Sequence, residues 1–557
     1  MTSPRTWTAL ALGWASLLAL LAWWLRTPAP FLREQLKTLQ FWSLEACLIL
    51  LVATGLMVLR DLRLKLDRRD GSRLAVLASA ALVLTLFVAP RTNRIYFDEQ
   101  IYQSIGQNLA DLKLAQMCND GTVEYGRLQC WRGEYNKQPY AYPHLLSVLY
   151  RIVGVSAPGA FALNAVVAAL TPCAVYLLVL TLFSDRPAAL LAGLIMVLTP
   201  EQILWSATAA VEPSASFACV VALLFAAAFA QSRRTAALVA TAAATAYAVQ
   251  FRPESMLIVP LVGLLLWRGV SRQDLWSVRV WAVGLLTLLL LAVHLGHLTA
   301  VRNEDWGARA ARVSLEYVTG NLRVNGPFYL WDQRFPLLFS ALALVGLTGR
   351  RFIAERLFFA LYFLLFFGTY LTFYAGSYSY GADVRYSLLT FPPIAVLGGL
   401  GASRISSWLD GRGLGVRGRT AVAAALIGQF LWYAPLVRAT TEEAWAARAD
   451  VRFAQSLAPS LRGNAYVLTH NPGMFHIWGV SAGQMSLVAD NPGQLAFLST
   501  RYREVYLHWN YWCNVNDPVQ QGFCARALNV NPVTLVHEYR ERDQRYSLYR
   551  YQIRLLP

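Results

Sequence analysis

The apolar residues of this chain fall in charge-free blocks of roughly 17 to 25, and a block of about 20 is what a helix needs to span a bilayer. The approximate ends are 7–25, 40–59, 74–90, 159–183, 188–205, 214–230 and 235–249, then 254–267, 281–299, 336–349, 357–374, 386–402 and 420–438. The expected fold is therefore a polytopic α-helical membrane protein of about 13 transmembrane helices. Composition agrees: of 557 residues 56% are hydrophobic and only 15% charged, against the roughly 25% charged of a soluble domain. A disordered chain, a disulfide scaffold and a standard soluble enzyme are excluded.

Lys and Arg in short loops resist translocation and so report orientation. Alternate loops are basic throughout, with Arg60 to Arg73, Arg186, Arg233 and Arg234, Arg268 to Arg279, Arg350 to Arg356, and Arg404 to Arg419. Those loops are read as cytoplasmic. The formal charge of +17 is then mostly topological, with no nucleic-acid partner implied. This places the N-terminus inside and the segment after 438 outside. Residues 1–25 read as a retained span, a cleaved signal peptide being the alternative.

Three portions result: two additional N-terminal helices in 1–73, a membrane core in 74–438 with a long first outer loop at 91–158, and an outer α/β domain in 439–557. The last is expected to hold a helix near 441–458, strands at 465–469, 485–489 and 504–508, a helix from Pro492, a Cys-bearing helix, and strands near 533–539 and 546–553. Cys47, Cys173 and Cys219 lie inside spans. Cys118 with Cys130 and Cys513 with Cys524 form close pairs in outer segments, where two disulfides are expected.

The first outer loop opens with Arg94-Ile95-Tyr96-Phe97-Asp98-Glu99-Gln100-Ile101-Tyr102 and continues Tyr135-Asn136-Lys137-Gln138-Pro139 before an amphipathic stretch from Leu145 to Val153. Asp98 and Glu99 could simply favour the N-terminal end of a helix. They have company, however. A short outer loop carries Asp383-Val384-Arg385-Tyr386 followed by Pro392-Pro393, and two further outer turns carry Glu212-Pro213 and Arg252-Pro253-Glu254. An outer Arg runs against the positive-inside bias and calls for an anionic partner. Together these residues suggest a site for an anionic amphiphile.

The Asp98-Glu99 pair in a long first outer loop, the Lys137-Gln138-Pro139 before an amphipathic helix, and Arg385-Tyr386 ahead of Pro392-Pro393 resemble the GT-C membrane glycosyltransferases. The nearest likeness is to the bacterial branch related to protein O-mannosyltransferases and the lipid A aminoarabinose transferase. It covers roughly 74–438, and departs from the common Lys-Pro-Pro at Gln138. The resemblance implies an inverting glycosyltransferase with a polyprenyl-phosphate-linked sugar as donor and a glycan, lipid or protein as acceptor. The enzyme would sit in the bacterial cytoplasmic membrane with its site facing the periplasm.

The chemistry can be reasoned from the residues. An acceptor hydroxyl must lose a proton as it attacks the anomeric carbon, and Asp98 is the expected base. Fixed cations stabilise the departing phosphate, with Arg385 first, then Lys137 and Arg252. Tyr102, Glu212 and Tyr386 are expected to line the substrate site. Glu99 could hold a divalent cation or hydrogen-bond the acceptor. Tyr374, Tyr378, Tyr380 and Tyr386 fit an interfacial belt or a sugar-stacking surface. His294 and His297 read as interfacial, and Gly413-x-Gly415-x-x-Gly418 as a linker. A transporter or flippase of a lipid-linked anion would place charges mid-span, which this chain does not. A glycan ligase or polymerase using a lipid-linked oligosaccharide remains open.

Overall fold

The computed structural model describes residues 4–304, 311–332, 334–378 and 383–552. The chain forms two compact units: one of Met1–Arg91, Lys137–Tyr142 and Phe161–Glu443, the other of Thr92–Asn136, Pro143–Ala160 and Ala444–Pro557.

The first unit is helical, and the protein is a polytopic α-helical membrane protein. Among the described residues nine helices are long and apolar enough to cross a bilayer: Pro4–Arg26, Ala29–Arg63, Arg68–Phe87, Ala157–Phe183, Glu212–Ser232, Val278–Ala300, Ile353–Thr372, Asp383–Asp410 and Gly415–Leu461. The expected count of thirteen is not reached. The other four apolar stretches are helical but short or bent. Arg186–Leu198 and Pro200–Ser206 meet at 60°, because Pro200 has no N–H to continue the ladder and Thr199 before it is extended. Thr235–Ala248, Ile258–Gly269 and Leu337–Leu347 have 14, 12 and 11 residues. At 1.5 Å per residue such helices reach only about 17–21 Å, short of a ~30 Å hydrocarbon core. Leu337–Leu347 compensates by close packing on Phe391–Asp410, where a Cβ at Gly346 or Gly401 would lie 2.0 Å from a carbonyl oxygen of the other helix.

The second unit is built on one sheet of seven strands: β1 (Met117–Glu124), β2 (Arg127–Glu134), β3 (Ala465–Thr469), β4 (Ser481–Gln484), β5 (Glu504–Trp509), β6 (Val533–Glu541) and β7 (Gln544–Tyr551). Their order is β2-β1-β4-β3-β5-β7-β6. β4, β3 and β5 run parallel, and every other pairing is antiparallel. The hairpin β1–β2 comes from the first outer loop and pairs with β4 through Asp120–Gly483 and Gly121–Ala482. Side chains alternate across β3, so Val467 packs with Phe453, Leu457 and Leu548 on one face, while Tyr466 and Leu468 pack with Leu495, Leu498 and Leu507 on the other.

Both disulfides form, Cys118–Cys130 and Cys513–Cys524, each with its Cα atoms 5.7 Å apart. Two strand expectations need correction. The run at 485–489 is a short helix, Ser486–Ala489, and its strand lies just before it at Ser481–Gln484. Residue 553, expected at the end of the last strand, lies outside the described residues. Gly413 sits at φ 81° in the turn joining Phe391–Asp410 to Gly415–Ala439, so the glycine pattern there is a helix–helix connection.

Candidate functional site

In the helical unit the chain brings Glu212, Arg252, Glu254, Asp383, Arg385 and Tyr386 together. Each is placed by a local device. Glu212 opens the helix Glu212–Ser232, and the turn before it is clamped by Asn164, whose side-chain amide donates to the Thr208 and Ala210 carbonyls at 2.8 Å each. Arg252 is extended because Pro253 follows it. The same turn is anchored at Gln250, which is fully buried, accepts from Gln40 at 2.8 Å and takes the Ala141 N–H on its carbonyl. Arg385 lies in the short 3-10 helix Asp383–Thr390, which leads into Phe391–Asp410 through Pro392 and Pro393.

Glu212 is the hub. Arg385 Nε donates to its Oε1 at 2.9 Å, and Arg252 Nη1 bonds the same oxygen. Arg252 also pairs with Glu254, which accepts from the Tyr370 hydroxyl at 3.2 Å. Arg385 Nη1 is 3.5 Å from Asp383 Oδ1, a longer contact than the one to Glu212. Tyr386 is enclosed by cations and an aromatic ring: the guanidinium carbons of Arg385 and Arg252 lie 4.8 and 5.0 Å from its centroid, and Tyr370 stacks on it at 5.5 Å. The arginine side chains are only 9% and 12% exposed. Buried charges persist only where they are paired, so the cluster is a preorganised network in which two arginines share Glu212 and each has a second carboxylate, Glu254 for Arg252 and Asp383 for Arg385.

Lys137 belongs to this unit through its backbone, whose carbonyl takes a hydrogen bond from His297. Tyr140 packs edge-on to the same ring at 5.5 Å. His297 thus anchors the segment that carries Lys137, a role that its reading as interfacial did not include. Tyr378 is fully buried with its hydroxyl 3.2 Å from that of Tyr329, so it is a core residue, and Tyr380 lies outside the described residues.

In the sheet-containing unit, Asp98 and Glu99 begin the helix Asp98–Asp111. Glu99 is fully buried, and its carboxylate faces back to the preceding loop, accepting from the backbone N–H groups of Arg94 at 2.8 Å and Ile95 at 3.2 Å and from the Asn93 amide. Asp98 is half-buried. Phe97 before it sits at φ 75°, a backbone region costing a bulky residue about 1–3 kcal/mol. Its ring stacks on Trp512 at 5.6 Å. Tyr102 lies within the same helix, 2% exposed.

Tyr96, two residues before Asp98, donates to Asp450, which burial and that carboxylate answer by pushing the phenol pKa well up. Asp450 Oδ1 is 3.2 Å from His508 Nε2, off the line of a straight hydrogen bond, and His508 Nδ1 is 3.0 Å from Thr469 Oγ1. Sequence reasoning missed this buried Tyr–Asp–His–Thr chain, since Tyr96 lies 354 residues from Asp450 and the other members meet only after folding. It also missed Asn164, for which an amide in an otherwise apolar span was the available signal.

Among the described residues one group has metal-ligand proximity, His470 with Cys513 and Cys524, and its two sulfurs are joined as a disulfide. It therefore offers no thiolate for a metal.

Residues 137–297 match the family described as dolichyl-phosphate-mannose-protein mannosyltransferase. No curated protein sequence matches the chain. Among solved structures, ArnT from Cupriavidus metallidurans in the apo state aligns at a TM-score of 0.56 and 17% identity, over 87% of this chain and 98% of ArnT. The same protein bound to undecaprenyl phosphate aligns at 0.54 and 16%, over 86% and 97%. The chain shares the GT-C fold of ArnT.

Proposed function

We propose that this protein transfers a sugar from a polyprenyl-phosphate carrier to an acceptor hydroxyl, with inversion at the anomeric carbon, at the outer face of the cytoplasmic membrane. The observation that carries the reading is the pair Arg252 and Arg385 held on buried Glu212 among apolar helices. Such a pair suits a lipid phosphate, a charged group tethered to a hydrocarbon tail. The relative with the same fold has been crystallised with undecaprenyl phosphate, which supports that donor class.

In this reading Arg385 is the leading phosphate ligand. A phosphate oxygen would replace its long contact to Asp383, while Glu212 keeps the guanidinium oriented. Arg252 and Lys137 supply further positive charge, and Tyr386 and Tyr102 shape the substrate site. As the C–O bond to phosphate breaks, charge grows on the departing oxygens, and fixed cations stabilise it without a proton donor. Asp98 takes the acceptor proton. The strained Phe97 fits a backbone that has been bent to present that carboxylate.

The test uses purified protein with a polyprenyl-phosphate sugar. Asp98→Asn is expected to lower turnover by about 10²–10⁴-fold while donor binding survives. Arg385→Lys preserves a cation beside Glu212 and hence the fold, but a point ammonium does not reproduce the fork, so donor affinity and turnover both fall. Near-normal transfer by a folded Asp98→Asn protein would overturn the base assignment.

A further inference from the structure

In the sheet-containing unit β3 lies between β4 on one side and β5 on the other, all three parallel; the segment leaving β3 turns toward β4, and the segment leaving β5 leads to β6 and β7 on the opposite side. Open α/β sheets bind ligands beyond the carboxyl ends of such strands. At that place there is a cavity of about 520 Å³, within the size range of small-molecule sites. His470 follows β3, Gln484 and Ser486 lie at the end of β4, and Gln520, Phe523 and Arg526 come from the helix Pro518–Leu528.

The polar groups are set in advance. Asn510 Nδ2, an amide donor, lies 3.1 Å from His470 Nδ1, so Nδ1 accepts and the ring proton sits on Nε2. That Nε2–H donates to Gln520 Oε1 at 3.1 Å. Burial holds the His470 pKa down at about 4, so the ring is neutral. With its oxygen committed, Gln520 presents its NH₂ to a ligand. The wall is fixed covalently, because Cys513–Cys524 ties the helix to the segment after β5. Phe523 offers a ring beside His470, 5.5 Å between centroids, and the Arg526 guanidinium carbon lies 5.5 Å from the Phe523 centroid. Among the described residues Arg526 is the one ionic side chain in the lining.

Amides, a neutral imidazole and a hydroxyl suit a ligand with many hydroxyls, an aromatic ring suits the apolar face of a pyranose, and a lone guanidinium suits a carboxylate. We propose that this pocket binds a sugar residue bearing a carboxylate. It is separate from the transfer chemistry, and none of the residues assigned to that chemistry lines it.

The experiment is saturation-transfer difference NMR on the full-length protein in nanodiscs, with glucuronate and glucose as probes. Wild-type protein is expected to saturate glucuronate ring protons several-fold more than those of glucose. Arg526→Ala should remove that preference, and Gln520→Ala should weaken both signals several-fold. Non-reducing mass mapping of Cys513–Cys524 in each variant reports the fold. Asp98→Asn should bind glucuronate as the wild type does, so failure of the pocket and failure of the transfer reading are distinguishable. No glucuronate signal, equal signals for the two sugars, or signals unchanged in both pocket variants would overturn the proposal.

Discussion

Adjacent carboxylates at 98 and 99 occupy different physical situations, although the sequence offers them as a pair. Glu99 closes a loop: its two oxygens take N–H groups of Asn93, Arg94 and Ile95 inside a fully buried position. Replacing it with Gln puts an NH₂ against donors, so Glu99→Gln is expected to destabilise the protein by about 1–3 kcal/mol, read as a lower Tm. Asp98→Asn should leave stability within about 0.5 kcal/mol of wild type and act on turnover. The two substitutions thus separate a structural carboxylate from a proposed chemical one. At this scale the sequence was informative where a residue broke a rule. Arg385 stood out as a cation on the expected outer side, and its partner proved to be Glu212. Asp450 and His508 broke no rule that could be seen along the chain, because their partnership exists only after folding.

Elements were legible where periodicity was strong. The strand at 465–469 agrees with β3 to the residue, and the helix expected from Pro492 forms at Gly493–Arg501. The failure at 485–489 has a definite cause: a short apolar run fits either a strand or a helix, whereas the true strand, Ser-Ala-Gly-Gln, looks like a loop. Its small residues are a packing requirement. A Cβ on Gly483 would lie 2.2 Å from the Tyr466 hydroxyl, which itself bonds Asp120 of β1. Gly483→Ala is therefore expected to push Tyr466 off Asp120 and cost about 1–3 kcal/mol. Hydrogen exchange should show the loss concentrated in β1 and β2. The hairpin itself was invisible as strands, since half of β2 is exposed polar residues such as Arg127, Gln129 and Arg132.

For the whole molecule, hydropathy located every apolar stretch as helix but overstated how many run the full thickness of a bilayer, because apolar length in sequence says nothing of where a proline or an anchored turn will stop a helix. Charge is what makes the sheet-containing unit sensitive to its surroundings. Burial holds His470 and His476 at about 4, below the 6.5 of an exposed imidazole. The unfolded chain therefore takes up protons first as pH falls, and stability should decline from about pH 6.5 to about pH 4 and then level. Each histidine contributes up to about 3 kcal/mol to that loss. Asp111 and Asp120, whose pKa values burial raises, oppose it at the acid end. Thermal melts of the full chain between pH 7.5 and 4.5 would record the decline, and His476→Asn should flatten it.

The single sheet also imposes an order on synthesis. β1 and β2 are made just after the third long helix, while β4, the strand that covers the open side of β1, follows the last of the membrane-spanning helices. Throughout translation of the intervening helices the hairpin waits with an unpaired edge, the kind of surface that recruits wrong partners. Cys118–Cys130 closes over a separation of 12 residues and needs nothing downstream, so oxidation can lock the hairpin's shape long before its neighbour arrives. Loss of that bond should show first as misassembly during biogenesis, in a nascent chain left holding a loose edge.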